Sequence, residues 1–292
     1  MEEGLIFALL AAVCFGGSQV FVRRGVHQAG ESLSATLIST FTGMLLVSFL
    51  LLFTAEWDKI WSLSWQGFVL LGTAGVIHFV AGRFLNYSCI RLIGANRASA
   101  ITRTSLFYAV ILGIIFLNEL LTAFIILGVL CIAGGATLVS IEKEEKISKM
   151  RGKGILHGQG AAFCWGISAV LIKPGIEEIG SPLAATFISY VTASLLLAGL
   201  LLGKRHREQL IQFSHVSLAP LVIAGIFVSI AQLTRYIALS YSPVSVVQPL
   251  LGTNVLFTLL FSFLLNRKLE VFTWKVFTGM LATVVGAYFF FC

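Results

Sequence analysis

Apolar residues run along this chain in long stretches separated by short polar breaks, and each stretch has the length of a membrane crossing. About 20 apolar residues in helical conformation span a bilayer core. Stretches of that kind lie at approximately 4–22, 33–53, 67–90, 95–117, 121–141, 154–174, 182–203, 217–240, 244–265 and 271–291. The expected fold is an all-α integral membrane protein of ten transmembrane helices. The one long polar break, Glu142–Lys153, falls at the centre. It divides the chain into a first unit at 1–141, a linker at 142–153 and a second unit at 154–292.

The two units share a pattern. Residues 4–40 and 154–190 align without a gap at an offset of 150, and Gly4, Cys14, Gly16, Ser18, Gly25, Gly30, Thr36 and Ser39 are among the residues that recur. Each unit is expected to hold five spans. An odd count makes the second unit enter the membrane from the opposite side, giving two inverted five-helix repeats. Such pairs exchange conformations and underlie alternating access in secondary transporters.

Composition fits this picture. The chain is 58% hydrophobic and only 11% charged, with a mean hydropathy of +0.95, too little charge for a soluble chain of this length. Glu2 and Glu3 precede the first apolar stretch while Arg23 and Arg24 follow it, the reverse of a signal peptide. The net charge of +7 does not point to nucleic acid, because most basic residues lie in short loops. Arg23, Arg24, Arg91, Arg97, the linker cations, Lys204, Arg205, Arg207, Arg267 and Lys268 fall on one side, and Lys59 and Lys173 on the other. The positive-inside bias then places the linker in the cytoplasm and both termini outside, in the plasma (inner) membrane. The five scattered cysteines read as small packing residues, without metal or disulfide spacing.

Phe15-Gly16-Gly17-Ser18 through Arg23, and Trp165-Gly166-Ile167-Ser168 through Lys173, resemble the "WG-x-S…K" pattern in the first helix of EamA-type transporters of the drug/metabolite transporter superfamily. Tyr87 and Tyr236, near the ends of the third and eighth spans, resemble that family's "Y-x-A-L". Leu117-Asn118-Glu119-Leu120 resembles the "L-G-E-x-L" closing its fourth helix, whereas the second unit carries Asn266-Arg267 there. The resemblance implies ten helices, with one to four and six to nine around a cavity and five and ten peripheral. It also implies transport of a small solute, often export. The family's prolines in helices four and nine are replaced near Ser105 and Asn254, so kinks are expected elsewhere, with Pro249 as the hinge of the ninth helix.

Polar residues inside spans demand an explanation. An arginine at mid-helix costs about 2.5–3.5 kcal/mol on insertion scales and normally faces a cavity. Arg103, two turns into the fourth span, is the leading substrate ligand. Arg83 and Arg235 lie nearer span ends, where snorkelling to the interface competes with cavity lining. Gly75, His78, Gly82 and Asn86 form one stripe on the third span, and Gly225, Ser229, Gln232 and Tyr236 form a similar one on the eighth. Packing through small residues explains the glycines; cavity lining better explains His78, Asn86, Gln232 and Tyr236. Gln19, Ser168, Gln248 and Asn254 complete the substrate-facing set, and Gly16 and Gly166 are assigned to close helix contact.

No acidic residue falls within the predicted spans, so the cavity is expected to be basic and to prefer a carboxylate, a phosphate or a zwitterion. The leading expectation is a secondary transporter, with membrane lipids and a small metabolite as partners and neither cofactor nor metal. Coupling by the solute's own gradient, by exchange or by a proton on His78 stays open, as does oligomeric state. A multidrug exporter of apolar compounds, a non-transporting receptor or scaffold, and a lipid-modifying membrane enzyme are the alternatives. The enzyme lacks a convergent acid, base or metal cluster, and no GxxxxGK[ST] loop is present for ATP. A reporter that works only in the cytoplasm is expected to be silent when fused after Cys292 and active when inserted in the linker; activity after Cys292 overturns the orientation.

Overall fold

The computed structural model describes residues 2–29, 32–54, 56–119, 122–140, 149–201, 218–267 and 274–289. All regular structure among them is helical. The elements are α1 (Glu2–Ala29), α2 (Ser32–Leu52), α3 (Trp57–Ser62), α4 (Trp65–Gly75), a π-helical segment (Val76–Gly82), α5 (Arg83–Ile93), α6 (Ala95–Thr102), α7 (Ser105–Leu117), α8 (Ala123–Ser140), α9 (Lys149–Ile179), α10 (Pro182–Leu200), α11 (Ala219–Tyr241), α12 (Val244–Gly252), α13 (Asn254–Leu265) and α14 (Trp274–Tyr288). Eight continuous or once-broken helical runs among the described residues are long and apolar enough to cross a membrane. The shorter α8 and α14 occupy the two remaining stretches and pack on each other. Most of the expected linker, 142–148, lies outside the described residues, and 149–153 already belong to α9.

α9 runs through Pro174 to Ile179, past the expected end of the sixth span. Glu177 and Glu178 therefore occupy the last turns of a spanning helix, which corrects the expectation that no acid lies in a span. Both carboxylates stay at the helix end. Glu177 sits 3.2 Å from Lys173, and Glu178 accepts a bond from the Ser64 backbone N–H at 2.8 Å.

The first helix of each half packs into the other half. α1 lies against α11, α12 and α13, while α9 lies against α4, the π segment, α5, α6 and α7. α2 meets α10. Exchanging the halves maps this set of neighbours onto itself. The close approach rests on Gly16 and Gly166. A Cβ on Gly16 would sit 2.8 Å from the Thr258 backbone nitrogen, and one on Gly166 would sit 3.1 Å from that of Ala109. The basic residue that follows each glycine motif has a defined task. Arg23 donates to the carbonyls of Ile90 (3.0 Å) and Arg91 (3.2 Å), and Lys173 donates to that of Leu239 (2.7 Å). Each cation thus neutralises the negative C-terminal end of a neighbouring helix.

The expectation that the kinks lie away from Ser105 and Asn254 is wrong. Both helices break beside those residues, at Arg103–Thr104 and at Thr253. A threonine, and no proline, sits at each break. Thr104 Oγ1 donates to Ile101 O at 2.9 Å and Thr253 Oγ1 to Leu250 O at 2.7 Å. Backbone bonds tighten to i→i+3 spacing at both points, as from Arg103 N to Ala100 O and from Thr253 N to Leu250 O. Pro249 lies inside α12, before the break.

The π segment changes the register between the halves. Before it, Leu71 abuts Gly175 and Leu221 abuts Gly25, an offset of 150 in both members of the pair. After it, Tyr87 donates to Ser39 Oγ at 3.2 Å and Tyr236 to Ser189 Oγ at 3.0 Å, an offset of 149 between the tyrosines. A π turn accommodates one extra residue in a helix. Alignment at a constant 150 pairs Arg83 with Leu233; in the folded register Arg83 corresponds to Gln232 and Asn86 to Arg235. Gly16→Leu and Gly166→Leu are each expected to cost about 1–3 kcal/mol by overpacking, seen as a lower unfolding midpoint in detergent. Gly199→Leu, where a Cβ meets nothing within 4 Å, is expected to leave that midpoint unchanged.

Candidate functional site

The interlocked first helices border a cavity lined largely by residues with polar side chains. α1 contributes Phe15, Ser18 and Gln19, the π segment His78, and α5 Arg83, Asn86 and Tyr87. Arg103 enters at the break between α6 and α7, with Ser105 beside it. From the second half come Trp165 on α9, Val228, Gln232 and Arg235 on α11, and Gln248 and Leu251 on α12. Eight of the eleven residues expected to face substrate line this space. Ser168, Tyr236 and Asn254 do not. Ser168 supports His78, Tyr236 is committed to Ser189, and Asn254 lies fully buried behind the α12–α13 break.

Snorkelling is excluded for Arg83 and Arg235, each only 2% exposed. The three arginines are held differently. Arg83 donates to Thr40 Oγ1 (3.1 Å), Ser39 Oγ (3.4 Å) and the Tyr190 hydroxyl (3.2 Å). Its guanidinium also lies 4.9 Å from the Phe79 ring centre, a cation–π contact. Arg103 makes one bond, from Nη1 to Leu251 O at 2.8 Å, which ties the break in one half to the equivalent break in the other. Arg235 donates from Nη1 to Gln232 Oε1 at 3.3 Å. Arg103 Nε, Arg235 Nη2 and Gln248 Nε2 are buried donors without an acceptor among the described residues, and none of the described residues that line the cavity carries a carboxylate. Buried cations are ordinarily paired, because an unpaired one forfeits its hydration. A site of this kind offers convergent donors and positive charge to a ligand carrying acceptor oxygens.

A hydrogen-bonded chain leads away from Arg235. Gln232 Nε2 lies 2.5 Å from His78 Nε2, His78 Nδ1 lies 2.7 Å from Ser168 Oγ, and Ser168 Oγ donates to Trp165 O at 3.0 Å. The Trp165 ring stacks on that of His78 at 5.6 Å, and its Nε1 donates to His78 O at 3.4 Å. Gly82 leaves room for that indole, because a Cβ there would stand 2.6 Å from Trp165 Nε1. Polarity alone could not single out Phe15, Trp165, Val228 and Leu251. Trp165 had a signal in its place within the repeated glycine motif. Glu119 accepts from the backbone N–H groups of Val244 and Ser245, both at 2.8 Å, and caps α12. In the second half, Asn266 donates to Val20 O at 2.8 Å and accepts from Arg24 Nε at 2.5 Å.

A helical membrane bundle closed around a polar cavity is the architecture of a membrane transporter, and the comparisons agree. The model of the EamA-like transporter family matches residues 2–141 and again 152–292. The chain belongs to the EamA-like transporter family. It is 29% identical over 136 residues to a Sinorhizobium sp protein described as an "Uncharacterized transporter in cobO 3'region", a match covering 46% of this chain and 94% of that protein. A solved crystal structure shares the fold at a TM-score of 0.71 and 15% identity, over 99% of this chain and 96% of the other. Tyr190→Phe leaves Arg83 Nη2 without its acceptor and is expected to destabilise the protein by about 1–3 kcal/mol in thermal unfolding. Gln248→Leu, which removes a donor with no acceptor among the described residues, is expected to cost far less.

Proposed function

We propose that the protein is a secondary transporter that exports a small anionic or zwitterionic metabolite across the cell membrane by alternating access. The carrying observation is the cavity with three buried arginines, open guanidinium donors and no carboxylate among its described lining residues. Each arginine costs about 2.5–3.5 kcal/mol to insert at mid-membrane, and an anion bound by charge-assisted bonds offsets part of that cost. Arg103 and Arg235 are close enough to act on one another electrostatically, so an anion between them relieves repulsion as well. Arg103 is the principal charge partner; Arg83, already bonded to three hydroxyls, sets the field and the wall.

Alternating access in this reading uses two inverted five-helix repeats, with α8 and α14 as the fifth and tenth spans. The exchange-related helix contacts and the paired breaks beside Ser105 and Asn254 support it. Those breaks, more than Pro249, serve as hinges. The cytoplasmic linker and outward termini follow from the basic-residue asymmetry. An exporter of apolar drugs fits less well, because three arginines line the cavity.

Amino acids, organic acids and sugar phosphates screened by thermal shift on the purified protein are expected to include anionic or zwitterionic ligands that stabilise it. Stabilisation by cationic or neutral apolar compounds alone overturns the proposal. For a hit, Arg103→Ala is expected to weaken binding at least roughly 30-fold, the equivalent of about 2 kcal/mol or more for a truncated buried charge contact, and to abolish flux into sealed vesicles. Normal flux through the folded variant refutes the assigned role.

A further inference from the structure

The chain of bonds from Arg235 to Ser168 fixes where protons sit. A guanidinium has donors only, so the Gln232 atom facing Arg235 is the oxygen. The Gln232 amide nitrogen then points at His78 Nε2, which must be bare to accept it. The imidazole proton lies on Nδ1 and is donated to Ser168 Oγ, whose own proton goes to Trp165 O. Every group in the chain is matched, and only the neutral imidazole matches it.

We propose that Gln232 couples the two sides of this cavity, so that an anion bound at Arg235 and a proton on His78 are taken up together. The inference rests on the anion reading above. An anion accepting from Arg235 competes with Gln232 Oε1 for the guanidinium. Once released, the amide rotates and presents Oε1 to His78 Nε2. That nitrogen then takes a proton from solution, forming one N–H bond and breaking none in the protein. Without the anion, rotation would turn the amide N–H groups toward Arg235, donor against cation. The groups facing His78 add no competing acid. α5 offers Arg83 and Tyr87, α10 offers Tyr190, α11 offers Arg235 and Tyr236, and α9 offers the Trp165 ring and the Ser168 hydroxyl. α2 and α4 have no ionisable side chain. One monovalent anion with one proton leaves the cavity charge unchanged, so such a carrier runs on the proton gradient and is insensitive to voltage.

The test uses the full chain, 15N-labelled at histidine, with sulfate as the probe because it takes up no proton near neutral pH. Binding is read from Trp165 fluorescence, assigned with Trp165→Phe, and the His78 resonances are assigned with His78→Gln. Saturating sulfate is expected to raise the pH at which His78 takes its proton by one unit or more, a tenfold change in proton affinity. Gln232→Leu is expected to cut that change below threefold. Sulfate that binds while moving His78 less than twofold overturns the coupling and leaves the anion reading standing. A full tenfold change in a folded Gln232→Leu protein also overturns it, since the amide is then not the link. No binding at 100 mM sulfate overturns the anion reading itself. The wild-type titration decides the matter even where the variant fails to fold.

Discussion

Each half of this protein is held together by the first helix of the other. α1 is seated among α11, α12 and α13, and α9 among α4 through α7. The fit is made by bare backbone at Gly16 and Gly166, where facing backbone stands too near for any side chain. Lipid supplies little hydrophobic driving force between helices, so close van der Waals approach does the joining. The cavity exists because of this exchange. Its walls are drawn from both halves, and neither half encloses it alone.

The polar lining is a second-order consequence with first-order chemistry. Once one helix in each half is broken near the middle of its span, carbonyls such as Leu251 O come within reach of a side chain. Arg103 uses that opening to bridge the two breaks. In the proposed reading Arg103 both ligates solute and ties the two breaks together, which makes occupancy and conformation one variable. A ligand without differential contacts to the two states would shift nothing.

Much of the fold was legible in the sequence because a bilayer leaves few options: apolar stretches of spanning length must be helices. The duplication at 4–40 and 154–190 announced the two-part plan, and Arg103, His78, Gln232 and Arg235 stood out because polarity in lipid needs a reason. Three kinds of information were hidden. Helix breaks that no proline marks look like ordinary helix in a hydropathy trace, so Thr104 and Thr253 gave no warning. The π segment leaves composition untouched and shows only as a slipped register, which is why Arg83 was matched to Leu233. Apolar walls such as Phe15 and Leu251 are indistinguishable in a sequence from side chains that face lipid.

The π segment also bears on how two similar halves came to do different work. An α-helix turns about 100° per residue, so one additional residue would re-aim everything that follows it were it not absorbed where it stands. The π turn absorbs it. Tyr87 and Tyr236 keep equivalent tasks against Ser39 and Ser189, and the surplus is confined to Val76–Gly82, the stretch that carries His78 into the cavity. The scaffold thus keeps its near-symmetry on both sides of the one place where the halves do not match, and that place holds the imidazole.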